Sequence, residues 1–218
     1  MSKLIIKANE IGNLTDARYF SAREVDWLGF SLDSNNENNL PLQQIIAIRE
    51  WISGPGIVAE LGAMSEIETI RQVIEILKPD AIQVGPFCNM ESVATAGSTP
   101  VIRELIPDTL EQLDDYLYEW RAWEKHLAFF LLNLEKNGIS WQQVKNNEPA
   151  LTLLKQLCSE YELMLSLVFE PSELAEILEV LNPYGLSFNG GTEEKVGMKS
   201  FESLDDIFDN LEEINSLP

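Results

Sequence analysis

Short apolar runs alternate with longer amphipathic segments along the whole chain. The runs are rich in Ile, Val, Leu and Phe and show little strict alternation, which is typical of parallel strands buried on both faces. We predict eight strands, at Leu4–Asn9, Trp27–Leu32, Ile57–Leu61, Ala81–Val84, Val101–Ile106, Leu127–Leu132, Leu163–Phe169 and Gly185–Phe188.

The segments between these runs have helical periodicity. Pro41–Trp51 is one predicted helix, Ser65 and Glu68 have the spacing of a capping box, and Pro171 suits a first helical position. The connection Pro86–Thr99 is only weakly helical. A last helix is acidic on one face and apolar on the other, where it carries Phe201, Leu204, Ile207, Phe208 and Leu211.

Eight strands, each followed by a helical segment, predict a parallel sheet that right-handed crossovers close into a (β/α)8 TIM barrel. The sequence has no linker and no low-complexity segment, so we expect residues 1–218 to form a single domain. The alternative is an open doubly wound sheet. That fold favours a glycine-rich fingerprint after the first strand, and residues 10–14 do not have one.

Charge and composition narrow the classes of partner. Hydrophobic residues make up 45% of the 218 residues and charged residues 23%, which is typical of a globular protein with a sizeable core. The formal net charge is −21, from 36 acidic and 15 basic residues. This acidity argues against binding to nucleic acid or an anionic membrane, and an anionic ligand would need a locally cationic pocket.

The sequence shows neither a targeting segment nor a metal motif. It lacks the roughly 18 consecutive apolar residues of a membrane span, and the N-terminus becomes polar too early for a signal peptide. The two cysteines, Cys88 and Cys158, have no metal-ligand spacing and form no disulfide framework. We therefore expect a cytoplasmic protein, and no metal or organic cofactor is indicated.

Two blocks of the sequence resemble phosphoribosylanthranilate isomerases. Lys7–Ala17, followed by Leu28–Phe30, is similar to the family's Lys-x-Cys-Gly-Ile-Thr strand end, its Asn-Leu-x-Asp-Ala helix start and its Leu-Gly-Phe strand. Asn182–Gly185, Gly191–Glu193 and Gly197–Lys199 resemble its Pro-Tyr-Gly, Ser-Ser-Gly-Val-Glu and Gly-x-Lys elements. Weaker matches lie between the blocks, at Gln83, at Pro100–Ile102 and at Leu132–Asn133.

The resemblance implies a TIM barrel and an isomerase reaction. The family performs an Amadori rearrangement in tryptophan biosynthesis, a branch of amino-acid biosynthesis. A general acid protonates the sugar ring oxygen, and a general base removes a proton from the neighbouring carbon. Both groups stand at the carboxyl ends of barrel strands, where this fold places its chemistry. The family uses no cofactor.

The positions of the family's base and acid carry Asn9 and Asn133 in this chain. A carboxamide neither accepts nor releases a proton near neutral pH. Each acid or base typically contributes about 10²–10⁴ in rate, so the loss of both predicts an impaired or inactive enzyme, a pseudoenzyme. The loop at residues 33–39 also lacks the family's arginine, and Gly85 replaces its histidine.

The resemblance places substrate-binding residues at Lys7, Gln83, Gly190 and Gly191. Backbone N–H groups of the eighth loop, around Gly190 and Gly191, are suited to wrap the phosphate of a small molecule. Lys7 has two expected roles, since it can meet a ligand anion or pair with a carboxylate such as Glu60 or Glu104.

These expectations leave three hypotheses. In the first, the barrel is an inactive homologue that binds a phosphorylated small molecule or a protein partner. In the second, it is an active isomerase with relocated groups, for which Glu10, Glu135 and Cys88 are candidates. The second is disfavoured for Glu10 because adjacent strand residues point to opposite faces, so Glu10 should point away from Asn9. The third is a different reaction on the same scaffold.

Overall fold

Eight parallel strands close into a barrel in the computed structural model, with helices interleaved between them. In chain order they are β1 Ile5–Asn9, β2 Trp27–Ser31, β3 Gly56–Glu60, β4 Ala81–Val84, β5 Val101–Leu105, β6 Phe129–Asn133, β7 Leu163–Ser166 and β8 Gly185–Asn189. β1 pairs with both β2 and β8, so the barrel sheet has no free edge. This confirms the predicted (β/α)8 barrel and excludes the open sheet.

The structure describes residues 3–64, 66–93, 95, 97–116, 121–123, 125, 127–190, 192–195 and 198–216. Every predicted strand is present, although the ends shift. The largest shift is in β7, which was predicted to reach Phe169 but ends at Ser166. Two residues after the end of β7, Val168 forms an isolated parallel bridge with Ser140. The rest of the predicted strand therefore lies outside the barrel sheet.

The helices are α1 Leu14–Ala22, α2 Leu42–Arg49, α3 Ile67–Leu77, α4 Met90–Val93, α5 Trp141–Lys145, α6 Glu148–Glu160, α7 Leu174–Leu181 and α8 Glu202–Ser216. Short 3₁₀ turns occupy Leu110–Tyr116, Glu135–Asn137 and Pro171–Glu173. None of the helices in the described ranges is long and apolar enough to cross a bilayer.

Local signals explain where several helices begin. The Asn13 side chain accepts a hydrogen bond from the Asp16 N–H at 3.0 Å and caps α1. Pro171 opens the 3₁₀ turn that leads into α7, as predicted. The predicted capping box at the start of α3 is wrong, because Glu66 is the N-cap residue and makes no side-chain cap hydrogen bond. Ser65 itself lies outside the described residues.

A two-stranded antiparallel hairpin follows β8 and was not predicted. It consists of β9 Thr192–Lys195 and β10 Met198–Ser200. By contrast, among its described residues the weakly helical connection after β4 contains the four-residue helix α4, in agreement with the sequence. The hairpin leads into α8, whose apolar face is buried as expected at Leu204, Ile207, Phe208 and Leu211.

The barrel interior has two layers of opposite character. Side chains on alternate strand positions point inward, and the five strands β3 to β7 supply buried residues to both layers. The apolar layer contains Val58, Ala81, Ile102, Phe129, Leu131 and Met164, all buried. The polar layer, toward the carboxyl ends of the strands, contains the buried residues Lys7, Asn9, Ser31, Glu60, Gln83, Glu104, Asn133, Ser166 and Ser187. In TIM barrels the catalytic residues lie at the carboxyl ends of the strands.

Candidate functional site

An ion pair lies at the centre of the polar layer. Lys7 has no exposed surface, and its Nζ donates hydrogen bonds to the Glu60 carboxylate and to Asn9 Oδ1. The Ser187 hydroxyl donates to the same Asn9 oxygen at 2.8 Å, and the Glu10 N–H donates to Glu60 Oε2 at 3.0 Å. Burial raises the pKa of Glu60, and the Lys7 ammonium partly offsets that rise. Lys7 therefore pairs with the first of the two carboxylates named from the sequence.

Gly29 makes this ion pair possible. Lys7 on β1 must reach across β2 to meet Glu60 on β3. A Cβ atom at Gly29 would stand 1.9 Å from Glu60 Oε1 and 2.7 Å from Lys7 Nζ. Because real atoms do not approach so closely, any side chain here would displace the pair. The Leu-Gly-Phe element of β2 is thus a spatial requirement of the polar layer.

Asn133 is held by a second set of hydrogen bonds. Its Nδ2 donates to Glu104 Oε1 at 2.8 Å, and its Oδ1 accepts from the Lys136 N–H at 3.0 Å. Glu104 is only 5% exposed. Within the described residues, its carboxylate has no lysine, arginine or histidine at salt-bridge distance. The family's acid position therefore carries an amide that is fixed beside a buried carboxylate without a cation.

Glu10 turns toward the mouth of the barrel, contrary to the expectation from strand alternation, and Glu135 lies beside the mouth. Glu10 follows β1 and has a left-handed backbone with φ of 52°, while Glu135 opens a 3₁₀ turn after β6. The alternation rule therefore does not apply to Glu10, which lies beyond the end of its strand. The Ser166 hydroxyl donates to Glu135 Oε2 at 2.7 Å. Burial raises the pKa of Glu135; hydrogen bonds from Ser166 and Asn189 oppose the rise, and the Glu10 charge adds to it.

Cys88 does not have the surroundings of a reactive thiolate. It is 5% exposed, and burial raises its pKa, with only partial opposition from Arg103. The Arg103 guanidinium donates hydrogen bonds to backbone carbonyls of the loop after β4, including that of Pro86 at 3.1 Å. Reactive cysteines are exposed and have a lowered pKa, so Cys88 fits a structural residue of this loop.

A small cavity of about 30 Å³ lies at the mouth, which we call the mouth cavity. Polar-layer side chains form its wall, and Glu10, Asp33 and Lys136 join them from the loops. Backbone N–H groups of Asn35 and Ala63 hold the pKa of Asp33 below its ordinary value. Among the described residues, no group of three or more His, Cys, Asp or Glu side chains is arranged to hold a metal ion.

A larger cavity of about 370 Å³ opens beside the mouth, between the loops after β7 and β8 and helix α8. We call it the eighth-loop cavity. Its lining includes Gly190 and Val168, together with the carboxylates of Glu135 and Glu170. Gly191, the second glycine expected to bind phosphate, lies outside the described residues.

The structure brings together most of the site residues that the sequence indicated. Lys7, Asn9, Gln83 and Asn133 share the polar layer, whereas Gly190 lines the neighbouring cavity. Sequence reasoning missed the polar-layer serines Ser31, Ser166 and Ser187 and the loop residues Asp33 and Lys136. Polar residues two apart at a strand end, as in Ser31 and Asp33 or Ser187 and Asn189, are a signal that would have found two of the three serines.

Comparisons with known proteins identify similar solved structures. No family model matches the sequence, and no curated protein matches it. The phosphoribosylanthranilate isomerase of Thermus thermophilus is similar with a TM-score of 0.72 and 22% identity. That of Thermotoga maritima has a TM-score of 0.77 and 18% identity. In each comparison, 97% of this chain and 100% of the other chain are covered.

A third similar structure contains a ligand. It is a phosphoribosylanthranilate isomerase in complex with reduced 1-(o-carboxyphenylamino)-1-deoxyribulose 5-phosphate. Its TM-score is 0.73 at 18% identity, with 97% of this chain and 100% of the other covered. At these identities the similarity establishes the fold, in agreement with the resemblance of the sequence. The chain has the barrel fold of the phosphoribosylanthranilate isomerase structures over nearly its entire length.

Proposed function

We propose that this protein is a divergent phosphoribosylanthranilate isomerase homologue that has lost the isomerase chemistry and uses its barrel mouth to bind a small molecule. The family's sequence blocks in their original order and the similar fold support the homology. The assignment of residues 1–218 to one domain and of the protein to the cytoplasm belongs to the same proposal.

The proposal rests on the hydrogen bonds of the two amide side chains, Asn9 and Asn133. Asn9 Oδ1 accepts hydrogen bonds from Lys7 and Ser187, and Asn133 joins Glu104 to the backbone of Lys136. Neither amide can exchange a proton, and both are bonded to the protein itself. The positions that would supply acid and base thus serve to hold the polar layer together.

The size of the mouth cavity supports the same conclusion. Its volume is only about 30 Å³. Sites for drug-sized ligands span about 300–1,000 Å³. The space beside Lys7 and Glu60 is therefore too small for a phosphoribosyl group joined to an aromatic acid.

An active isomerase with relocated groups is the second candidate, and one observation favours it. Glu10 lines the mouth cavity, Glu135 lines the eighth-loop cavity beside it, and their charges interact. A carboxyl group with a raised pKa is suited to act as a general acid, and a neighbouring carboxylate can act as the base. In this reading Glu135 is the acid and Glu10 the base.

A turnover assay separates the two candidates. Purified protein is tested for conversion of phosphoribosylanthranilate by its change in fluorescence, beside the double variant Asn9→Cys, Asn133→Asp. We expect no turnover from the wild type and a small gain in the double variant, limited by the space in the mouth. Wild-type turnover that disappears in Glu135→Gln would instead establish the relocated acid and contradict the proposal.

The residues around the barrel mouth bear on two possible ligands, a phosphorylated small molecule and a protein partner. Gly190 and the eighth-loop cavity favour a phosphorylated molecule, as the resemblance implies, whereas Glu135 and Glu170 in the same lining oppose an anion. A protein partner would require an exposed apolar patch. The exposed large apolar side chains of the described residues, Trp51, Ile76, Phe87 and Val168, lie on four different segments. A sulfate titration tests whether this cavity binds an anion, and we expect no saturable binding.

A further inference from the structure

Two buried polar atoms in the mouth cavity have no hydrogen-bond partner among the described residues. Asn9 is 4% exposed and Gln83 is 5% exposed. Within the part of the chain that the structure describes, neither Asn9 Nδ2 nor Gln83 Oε1 has a hydrogen-bond partner. Both residues line the mouth cavity. Because a buried polar atom without a partner costs about 1–3 kcal/mol, a donor and an acceptor left open at one cavity point to a ligand.

The hydrogen bonds of Asn9 fix which of its atoms is open. Its Oδ1 already accepts from the Lys7 ammonium and the Ser187 hydroxyl, so the oxygen cannot exchange places with the nitrogen. The open atom is therefore a donor. Gln83 offers the complementary acceptor, and a hydroxyl group is a small group that can accept from one and donate to the other.

The charges around the cavity indicate the charge of a ligand that carries this hydroxyl group. Four carboxylates line it, those of Glu10, Asp33, Glu60 and Glu104. The ammonium groups of Lys7 and Lys136 balance two of them, which leaves an excess of two negative charges. Glu104 is the buried member without a cationic partner among the described residues. A buried carboxylate is costly unless it is paired, so a cationic ligand group would complete this site.

From these observations we infer that the mouth cavity binds a small hydroxylated amine, with its ammonium group at Glu104 and its hydroxyl group between Asn9 and Gln83. The inference rests on the proposed function, because it names the ligand class of the same vacated site. A bare metal ion would leave the Asn9 N–H group unsatisfied, and an anion would meet the excess carboxylates. The amine is therefore the complementary class, opposite in charge to a sugar phosphate.

Matched two-carbon probes test both halves of the inference. Ethanolamine carries the amine and the hydroxyl, ethylamine lacks the hydroxyl, ethylene glycol lacks the amine, and glycolate replaces the amine with a carboxylate. Isothermal titration calorimetry with the full chain should rank ethanolamine first and show no binding of glycolate. Equal binding of ethanolamine and ethylamine, or displacement of ethanolamine by potassium ions, would overturn the inference. So would the absence of any binding, which would mean that water alone fills the cavity.

Variants assign each ligand group to its protein partner. Glu104→Gln keeps an acceptor for Asn133 and should weaken ethanolamine binding about tenfold or more, since the hydrogen bond loses its charge. Gln83→Leu should weaken ethanolamine but leave ethylamine unchanged. Glu179→Gln, on the exposed face of α7, makes the same charge change elsewhere and should have no effect. The unfolding temperature of each variant without ligand checks its folding, and Gln83→Leu tests the inference even if Glu104→Gln fails to fold.

The two proposals fail in different ways. Turnover of phosphoribosylanthranilate by the wild type would contradict the proposed function, whatever the amines do. An inactive protein that binds none of the probes, or that binds ethanolamine as well after Glu104→Gln as before, would contradict this inference alone.

Discussion

The apolar layer and the polar layer of the barrel share the strands β3 to β7 and meet opposite physical demands. On β3, Val58 belongs to one and Glu60 to the other; on β6, Leu131 precedes Asn133 in the same way. The apolar layer gains stability from burial alone. The polar layer holds buried charges and two open polar atoms, which are costly. Residues that stabilise the fold and residues suited to bind a ligand therefore lie at opposite ends of one barrel interior.

The largest expected effect comes from breaking the ion pair of the polar layer. Lys7→Met leaves the buried Glu60 carboxylate without its cation and should lower the free energy of unfolding by about 3–5 kcal/mol. Urea denaturation measures the loss. The double variant Lys7→Met, Glu60→Leu removes both charges and should regain most of it. A loss below about 1 kcal/mol in the single variant would show that the pair is solvated.

A cavity in the apolar layer should cost slightly less. Leu131 has no exposed surface, and Leu131→Ala should lower the free energy of unfolding by about 2–5 kcal/mol through lost burial and the space left behind. The matched control is Ile76→Ala on α3, which is 53% exposed and should change stability by about 0.5 kcal/mol or less. If Leu131→Ala also abolished ligand binding at the mouth, the two layers would not be independent.

The stability of the protein should depend on pH through Glu135, beside the barrel mouth. Burial raises the pKa of Glu135 in the folded state above its value in the unfolded chain. Its contribution to stability is therefore fully present below the ordinary glutamate pKa and is lost as the pH rises through the raised value. Glu135→Gln should remove this loss, which is at most about 1.4 kcal/mol per pH unit for one proton.

Free energies of unfolding measured across this pH range in both proteins give the difference directly. Glu60 is present in both, so its own raised pKa cancels. A variant that loses stability with rising pH as steeply as the wild type would contradict the assignment to Glu135.

The smallest effect is expected from a lysine four residues before Lys7. The Nζ of Lys3 pairs with Asp26 Oδ1 at 2.5 Å, but its side chain is 71% exposed. Lys3→Met should therefore change the free energy of unfolding by about 1 kcal/mol or less. The same urea measurement as for Lys7→Met makes this a matched pair of substitutions. Equal losses from both would remove the energetic distinction between a buried and an exposed ion pair.

The sequence predicted the barrel because burial on both faces leaves a clear apolar run for each strand. It also placed Asn9 and Asn133 at strand ends, since the family blocks align there. It did not predict the orientation of Glu10, because alternation fails where the strand ends. Nor could it choose between Glu60 and Glu104 as the partner of Lys7. That choice depends on the missing side chain at Gly29, a contact between strands far apart in sequence.

The left-handed backbone of Glu10 restricts which amino acids position 10 can accept. A side chain at φ of 52° costs about 1–2 kcal/mol, least for asparagine and aspartate and nothing for glycine. A saturation library at this position should therefore show inverted tolerance, with glycine more stable than the native glutamate and valine or isoleucine poorly expressed. If only the amount of folded protein mattered, selection would replace Glu10 by glycine. A glutamate that persists at position 10 under competitive growth would therefore indicate that it has a function other than folding.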